Sequence, residues 1–235
     1  MHLADIEYAH DGVRMVGFLA VDDSHAARRP AVLVSHDAGG INDHAKESAR
    51  RLAELGYVAF ALDYHGAGER LAPDEVGARF GQLAGDGARI RSLARAGLDV
   101  LLADERADPD RVAAIGYCFG GTMSLELARS GAALSAVVGF HSGLSTARPG
   151  DAANITGKVL VCIGADDPIV PSDQRLAFEE EMRSAGVDWQ MHLYGGVVHS
   201  FTNPAADGSN PALRYDRAAD ERSWRSMQDL FAEVF

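Results

Sequence analysis

The sequence predicts an α/β fold with a mostly parallel central sheet, an N-terminal antiparallel hairpin and helices on both faces. Short apolar runs rich in Val, Ile and Leu alternate with longer amphipathic stretches, which is the pattern of buried parallel strands joined by helices. The first thirty residues differ, because the strand-like runs 6–8 and 13–21 are separated by Asp11-Gly12, a dipeptide typical of hairpin turns. We therefore expect a hairpin followed by repeated β-α-β units.

The remaining elements are justified by these two patterns and by their end signals. Strands are predicted at residues 31–35, 57–62, 112–117, 136–140, 159–163 and 190–194. Helices are predicted at residues 43–55, 86–103, 122–129, 172–185 and 213–235. Asn42 or Asp43 is expected to cap the first helix, and Gly56 to end it. Ser172 is expected to cap the fourth helix, and Gly186 to end it.

Two segments have no clear strand or helix pattern. Residues 66–87 follow a predicted strand, so we expect them to lie over the carboxyl ends of the strands, where ligands bind in open α/β sheets. Residues 203–211 form a second loop rich in Pro, Gly, Asn and Asp.

Composition restricts the class of protein. The chain has 235 residues, 47% hydrophobic and 24% charged, and we find no repeat or linker, so residues 1–235 are expected to form one domain. The net charge of −12 argues against binding to nucleic acid or to an anionic membrane. No stretch is typical of a signal peptide or a membrane-spanning helix. The chain has two cysteines, Cys118 and Cys162, so we do not expect a disulfide framework. We expect instead a reducing, cytoplasmic location.

Residues 116–121, Gly-Tyr-Cys-Phe-Gly-Gly, carry the strongest functional signal. They lie between a predicted strand and a predicted helix, and small residues flank Cys118. A Gly-x-nucleophile-x-Gly pattern in this context is the nucleophile elbow of α/β-hydrolases, with Cys where Ser is usual. The alternative is a buried Cys in a glycine-rich turn, and the partners found downstream favour the nucleophile.

A thiol nucleophile needs a base and an acid that orients the base, and in α/β-hydrolases they follow in the order nucleophile, acid, His. Asp166 and Asp167 both follow the strand 159–163. Asp167 is preferred because the Pro-Ile-Val-Pro that follows it resembles the Asp-x-x-Val-Pro turn of these enzymes. Asp166 is then a turn or capping residue, although it stays open as the acid.

The base is expected after the last strand and before the terminal helix. His199 occupies that position, following strand 190–194. It is one of nine histidines, and its place in the chain order distinguishes it from the others.

An oxyanion hole needs two backbone N–H donors directed at the developing negative charge. Phe119, which follows the nucleophile, is one expected donor. Ala38, in the loop 35–42 after an early strand, is the other. Gly39-Gly40 in that loop also serves to turn the chain into the next helix.

Together these motifs resemble those of the dienelactone hydrolase family over nearly the whole chain. The carrying segments, in family order, are residues 36–42, 52–63, 116–121, 167–171 and 199–201. The resemblance implies an α/β-hydrolase fold, a Cys118-His199-Asp167 triad and acyl-thioester chemistry on esters or lactones. No metal or organic cofactor is expected, because no cluster of His, Cys and carboxylate residues in the sequence has metal-ligand spacing.

The resemblance also implies roles for residues outside the triad. In the family a Glu of the first motif helps to generate the thiolate, and Asp37 occupies that position, where it could instead cap the following turn. An Arg four residues after the catalytic His holds the substrate carboxylate in true dienelactone hydrolases, and here that position is Asn203. Arg79 is the nearest candidate for a second family Arg. Tyr64 and His65 are further candidates for the substrate pocket.

The sequence thus predicts a hydrolase of small carboxylic esters or lactones, acting on a small-molecule substrate as a monomer or homodimer. Because Asn203 cannot make the bidentate, charge-assisted pair that Arg makes, a true carboxymethylenebutenolidase is the alternative rather than the preferred activity. A non-catalytic or thiol-redox homologue is the alternative from another class.

Overall fold

The computed structural model describes residues 1–24 and 27–235. Eight strands lie in one sheet: β1 His2–His10, β2 Val13–Val21, β3 Arg29–Ser35, β4 Val58–Leu62, β5 Ala107–Tyr117, β6 Ala136–Phe140, β7 Lys158–Gly164 and β8 Trp189–Tyr194. The helices are α1 Asp43–Glu54, α2 Pro73–Ala84, α3 Gly87–Ala103, α4 Phe119–Arg129, α5 Ser172–Ala185 and α6 Arg217–Val234. A 3₁₀ turn spans Pro149–Asn154.

The sheet confirms the predicted fold class. Its strand order is β1-β2-β4-β3-β5-β6-β7-β8. The hairpin β1–β2 is antiparallel and β2 pairs antiparallel with β4, whereas every pair from β4 to β8 is parallel. Strand β3 connects to β4 on one side and lies beside β5 on the other, so the order reverses at β3. Crevices at such a switch point are where α/β proteins bind ligands.

Helices cover both faces of the sheet, which is why its central strands are apolar on both sides. One buried cluster contains side chains of α3, α4 and α5, including Leu98, Met123 and Phe178. The other contains side chains of α1 and α6, including Leu52 and Phe231. Within the described residues, no helix is both long enough and apolar enough to cross a membrane.

Several boundaries differ from the sequence-based ones. The stretch 66–87 contains α2, which exposes most of its side chains and buries only Leu83. The helix expected from residue 213 begins at Arg217, capped by Asp216. Asn42, not Asp43, caps α1 by accepting a hydrogen bond from Ala45 N–H.

The expected Ser172 cap is wrong. Pro171 is the N-cap residue of α5 and supplies no side-chain cap, so Ser172 is the first helical residue. Gly186 ends that helix in the left-handed conformation, with φ of 68°, where a residue without a Cβ is least strained.

Candidate active site

Cys118 lies at a sharp turn between β5 and α4. Its φ of 55° and ψ of −121° are uncommon for a non-glycine residue, and such strain is typical of functional sites. A Cβ on Gly116 would overlap the Gly120 backbone, and one on Gly120 would overlap the carbonyl of His36. The glycines around Cys118 are therefore required by the close approach of three backbone segments. The turn places the thiol at the N-terminus of α4, where a thiolate is favoured.

Asp167 and His199 meet at the carboxyl edge of the sheet. Nδ1 of His199 lies 2.7 Å from Oδ2 of Asp167, and both side chains are almost completely buried. Oδ1 of Asp167 accepts hydrogen bonds from the amides of Ile169 at 2.8 Å and Val170 at 3.3 Å. Both carboxylate oxygens are thus engaged, and the carboxylate holds the imidazole with Nε2 facing away. Asp166 is exposed and does not take part in this pair.

The second nitrogen of His199 is on the side of Cys118, with which the imidazole interacts. Its Nε2 is buried and has no hydrogen-bond partner that meets normal geometry within residues 1–24 and 27–235. Burial opposes the charged imidazole, but interactions with Asp167 and with the Cys118 side chain outweigh it and raise the pKa of His199 to about 9. The described geometry therefore suits an imidazole that accepts and keeps a proton from a neighbouring thiol.

Cys118 and His199 line one open cavity of about 420 Å³ at the carboxyl edge of the sheet. Its apolar wall includes Val76 of α2, Ile169 and Leu213. A cavity of this size suits a small molecule.

Ala38 also lines the cavity, and Phe119 is the first residue of α4. Neither of their amides donates a hydrogen bond to an atom of the described chain. The Phe119 N–H is one of the donors that every helix N-terminus leaves free. Ala38 shares the cavity with Cys118, and Phe119 follows Cys118 in the chain, so both unpartnered amides are candidates for an oxyanion hole.

Asp37 lines the same cavity, yet its carboxylate is bonded within its own loop. Oδ1 accepts from Gly39 N–H at 2.8 Å, and Oδ2 accepts from the side-chain amide of Asn42 at 2.8 Å. These bonds are those of a turn-forming residue. They also fix the carboxylate at the cavity wall.

The other sequence-predicted pocket residues are divided between the cavity and its surroundings. Asn203 lines the cavity and caps its own loop, accepting from Ala205 N–H at 3.0 Å. Arg79 lies on α2 outside the lining, close enough to His65 for an electrostatic interaction. Tyr64 and His65 are buried, hydrogen-bond to the carbonyl oxygens of Asp37 and Ala38, and are not among the residues that line the cavity.

Sequence reasoning missed two residues near the site. Arg70 lines the cavity, and its side chain has no ion pair or hydrogen bond in the part of the chain that the structure describes. His141 follows β6 at φ of 40°, and its ring lies edge-to-face with His199 at a centroid distance of 4.9 Å. His141 also pairs with Oγ1 of Thr202 at 2.9 Å. Neither residue belongs to a recognisable local motif, so only the three-dimensional arrangement identifies them.

The sheet order, the strained cysteine turn and the buried Asp–His pair define an α/β-hydrolase. Within that class, the model of the Dienelactone hydrolase family matches residues 15–235. The chain belongs to that family, as its motifs predicted.

Solved structures agree with this classification. A protein named m3DLH is 48% identical, with a TM-score of 0.96 and coverage of 100% of this chain and 98% of its own. A dienelactone hydrolase-like promiscuous phosphotriesterase from metagenomic libraries is 44% identical, with a TM-score of 0.95 and the same coverage. A curated relative from Aquifex aeolicus carries carboxymethylenebutenolidase as a provisional name, and is 26% identical over 84% of this chain and 86% of its own.

Proposed function

We propose that this protein hydrolyses small carboxylic esters or lactones through a Cys118-His199-Asp167 triad and an acyl-thioester intermediate. The observation that carries the proposal is the buried hydrogen bond of 2.7 Å between Asp167 and His199, with the free Nε2 of His199 beside a cysteine held at φ of 55°. A nucleophile, its base and the group that orients the base are the minimum for nucleophilic acyl transfer.

In the first half of the reaction, His199 takes the Cys118 proton and the thiolate attacks the carbonyl carbon. A C–S bond forms, and the carbonyl electron pair moves to oxygen, where the amides of Phe119 and Ala38 stabilise it. When the adduct collapses, the C–O bond breaks and His199 protonates the departing alcohol. Asp167 holds the imidazole in the required tautomer and stabilises its cation throughout.

In the second half, water attacks the thioester. His199 removes a proton from the water and then returns it to Cys118, which leaves as the thiol with the carboxylic acid released. A thiolate leaves the tetrahedral adduct more readily than an alkoxide does, because it is the weaker base. This favours activated esters, enol esters and lactones over amides.

The walls of the cavity support a small substrate with an apolar part. Val76, Ile169 and Leu213 would contact that part, while the unpaired Arg70 would favour an anionic or strongly polar group on the same substrate. Asn203, at the position of the family Arg, provides no charge for a carboxylate. A true carboxymethylenebutenolidase therefore remains the alternative activity.

The 44% identity to a promiscuous phosphotriesterase over the whole chain favours a second candidate activity, phosphotriester hydrolysis. The same thiolate could displace an aryloxide from phosphorus, forming an S–P bond as the P–O bond breaks, while the same amides stabilise the negative charge on the phosphoryl oxygen. Water activated by His199 would then displace the thiol from phosphorus and release the phosphodiester. This activity requires no other residue than the triad and the two amides.

The proposal is tested with short-chain 4-nitrophenyl esters, a dienelactone and an aryl phosphotriester, using wild-type protein, Cys118→Ala and Cys118→Ser. We expect ester turnover in the wild type and its loss in Cys118→Ala. Cys162→Ala is the matched control, because burial raises the pKa of that second thiol to about 12 and makes it a poor nucleophile.

Three results would change the assignment. Full ester turnover by Cys118→Ala would exclude the thiol mechanism. Dienelactone turnover far above ester turnover would establish the alternative activity. Rapid sulfenate formation at Cys118 under mild peroxide, without ester turnover, would favour the thiol-redox class.

A further inference from the structure

Two buried aromatic side chains hydrogen-bond to the peptide group that carries one of the proposed oxyanion donors. This peptide joins Asp37 to Ala38, so its N–H is that of Ala38 and its C=O is that of Asp37. The carbonyl oxygen accepts from Oη–H of Tyr64 at 2.6 Å and from Nδ1–H of His36 at 2.6 Å. The Gly40 N–H makes a third, longer contact of 3.4 Å with the same oxygen.

The two rings are buried and held against each other. His36 has no exposed surface and Tyr64 is 3% exposed, and their rings stack with centroids 3.7 Å apart and an interplanar angle of 15°. Burial and the nearby His65 keep the pKa of His36 well below its ordinary value, so the ring is neutral. Since Nδ1 faces a carbonyl oxygen, which only accepts, the single ring proton belongs on Nδ1.

The loop receives a further bond of the same kind from His65. Nε2 of His65 lies 2.9 Å from the carbonyl oxygen of Ala38, and its Nδ1 has no partner among the described atoms. Leu71 N–H also donates to the Gly39 carbonyl at 2.8 Å. The carbonyl oxygens of Asp37, Ala38 and Gly39 thus all accept hydrogen bonds, from Tyr64, His65 and Leu71 respectively. His36 and His65 each donate their one ring N–H to a carbonyl of this loop.

These contacts have an electronic consequence as well as a structural one. A hydrogen bond to the oxygen of an amide increases the positive charge on its N–H, because bonds in series polarise one another. In a buried site with a low dielectric this effect is larger than in water. The acceptor of the strengthened N–H would be the oxyanion.

We propose that Tyr64 and His36 are positioning residues that orient the Ala38 N–H and strengthen it as an oxyanion donor by hydrogen-bonding to the carbonyl of the same peptide. The proposal rests on the proposed function, since it requires an oxyanion at Ala38. It assigns to Tyr64 a role through the backbone, without contact with substrate.

The expected effect is modest and can be bounded. Removing an entire oxyanion donor lowers kcat by about 10²–10³. If each hydrogen bond in series strengthens the next by roughly 10–30%, loss of the Tyr64 hydroxyl removes that share of the free energy, which corresponds to a decrease in kcat of about 2- to 8-fold.

The test uses Tyr64→Phe, which removes only the hydroxyl and keeps the ring stacked on His36. Tyr194→Phe is the matched control, because it removes the hydroxyl of a second, half-buried tyrosine, which donates to Cys162 Sγ at 3.6 Å and not to the loop of Ala38. Three quantities are measured: kcat and KM for a 4-nitrophenyl ester, the rate of Cys118 alkylation by iodoacetamide, and the infrared C=O frequency of the acyl-enzyme.

We expect Tyr64→Phe to lower kcat by the stated factor, with KM unchanged, and to raise the acyl C=O frequency. Alkylation should keep the wild-type rate, because attack on iodoacetamide forms no oxyanion. A second pair of variants tests His36: Asn retains an N–H donor near the Nδ1 position and should preserve kcat, whereas Phe retains the ring without a donor and should lower it.

The results separate this proposal from the proposed function. If wild-type protein forms an acyl-enzyme but Tyr64→Phe leaves both kcat and C=O frequency unchanged, the positioning role is wrong. Equal loss of kcat and alkylation in Tyr64→Phe would assign the residue a general structural role and also overturn the proposal. If wild-type protein forms no acyl-enzyme on Cys118, the proposed function itself fails.

Discussion

Asp167→Asn should disable the site while leaving its shape almost unchanged. The wild-type carboxylate is buried and accepts from His199 at 2.7 Å. The amide of Asn can donate to Nδ1 and so favour the tautomer with the proton on Nε2, which cannot accept the thiol proton. Burial, which lowers the pKa of His199, would then act without its strongest opposing interaction.

The magnitude follows from the role of the carboxylate in the Asp–His pair. Asp167 makes the largest of the interactions that raise the pKa of His199 to about 9, and the Cys118 side chain adds to it. Replacing the Asp of a catalytic triad by Asn lowers kcat by about 10⁴-fold through the wrong tautomer, so we expect kcat/KM for a 4-nitrophenyl ester at pH 7 to fall by about 10³- to 10⁴-fold.

The assay is a pH–rate profile of ester hydrolysis between pH 6 and 10, together with the rate of Cys118 alkylation over the same range. Asp166→Asn is the control, because it removes the same charge from the exposed neighbouring position and should alter kcat/KM by less than about two-fold. Activity of Asp167→Asn within ten-fold of wild type, with an unchanged profile, would refute the assignment of Asp167.

Three further predictions concern stability. Gly121→Ala should lower the free energy of unfolding, measured by urea titration, by about 1–3 kcal/mol, because the new Cβ would overlap the Ser142 side chain. Adding Ser142→Gly should restore most of that free energy. Arg129→Met should lower the free energy of unfolding, measured by chemical denaturation, by about 3–5 kcal/mol, because it leaves a buried carboxylate without its partner. Arg129 is fully buried and bonded to Glu181 at 2.7 Å, and a decrease below about 1 kcal/mol would contradict this prediction. Burial lowers the pKa of His44 from 6.5 to about 4, so below pH 6.5 the unfolded chain binds a proton that the folded protein does not. The free energy of unfolding should therefore be highest above pH 6.5 and fall by about 3 kcal/mol as the pH decreases to 4, and His44→Gln should flatten that pH dependence.

Most of the fold could be predicted because its strands are buried on both faces. Runs such as residues 159–163 are apolar at every position, and the structure places them as the buried strand β7, between β6 and β8. The start of β5 was missed because residues 107–111, Ala-Asp-Pro-Asp-Arg, are mostly polar. Ala107 and Asp108 nevertheless pair with Arg29 and Pro30 of β3, ahead of a register shift that leaves residues 109–111 without a partner in β3. Helix α2 was missed because one buried residue, Leu83, produces no apolar stripe.

The candidate triad could be located from chain order, since each member follows a different strand and parallel strands bring their carboxyl ends to one edge. The same logic could not assign Tyr64. Its hydroxyl contacts a carbonyl 27 positions earlier in the chain, and a bond to the backbone leaves no signature in the partner's residue type. Arg70 was missed for a related reason, because a single Arg in a patternless loop looks like a solvated side chain until a cavity is seen beside it.

The central claim is that Cys118 carries the acyl group during turnover. Mass spectrometry of protein quenched during hydrolysis of a slow aryl ester tests it directly, with proteolysis to locate the adduct. We predict an added mass equal to the acyl group on the peptide containing Cys118, absent from Cys118→Ala and absent from the peptide containing Cys162. Steady ester turnover without any acylated Cys118, or with the acyl group on another residue, would contradict the mechanism.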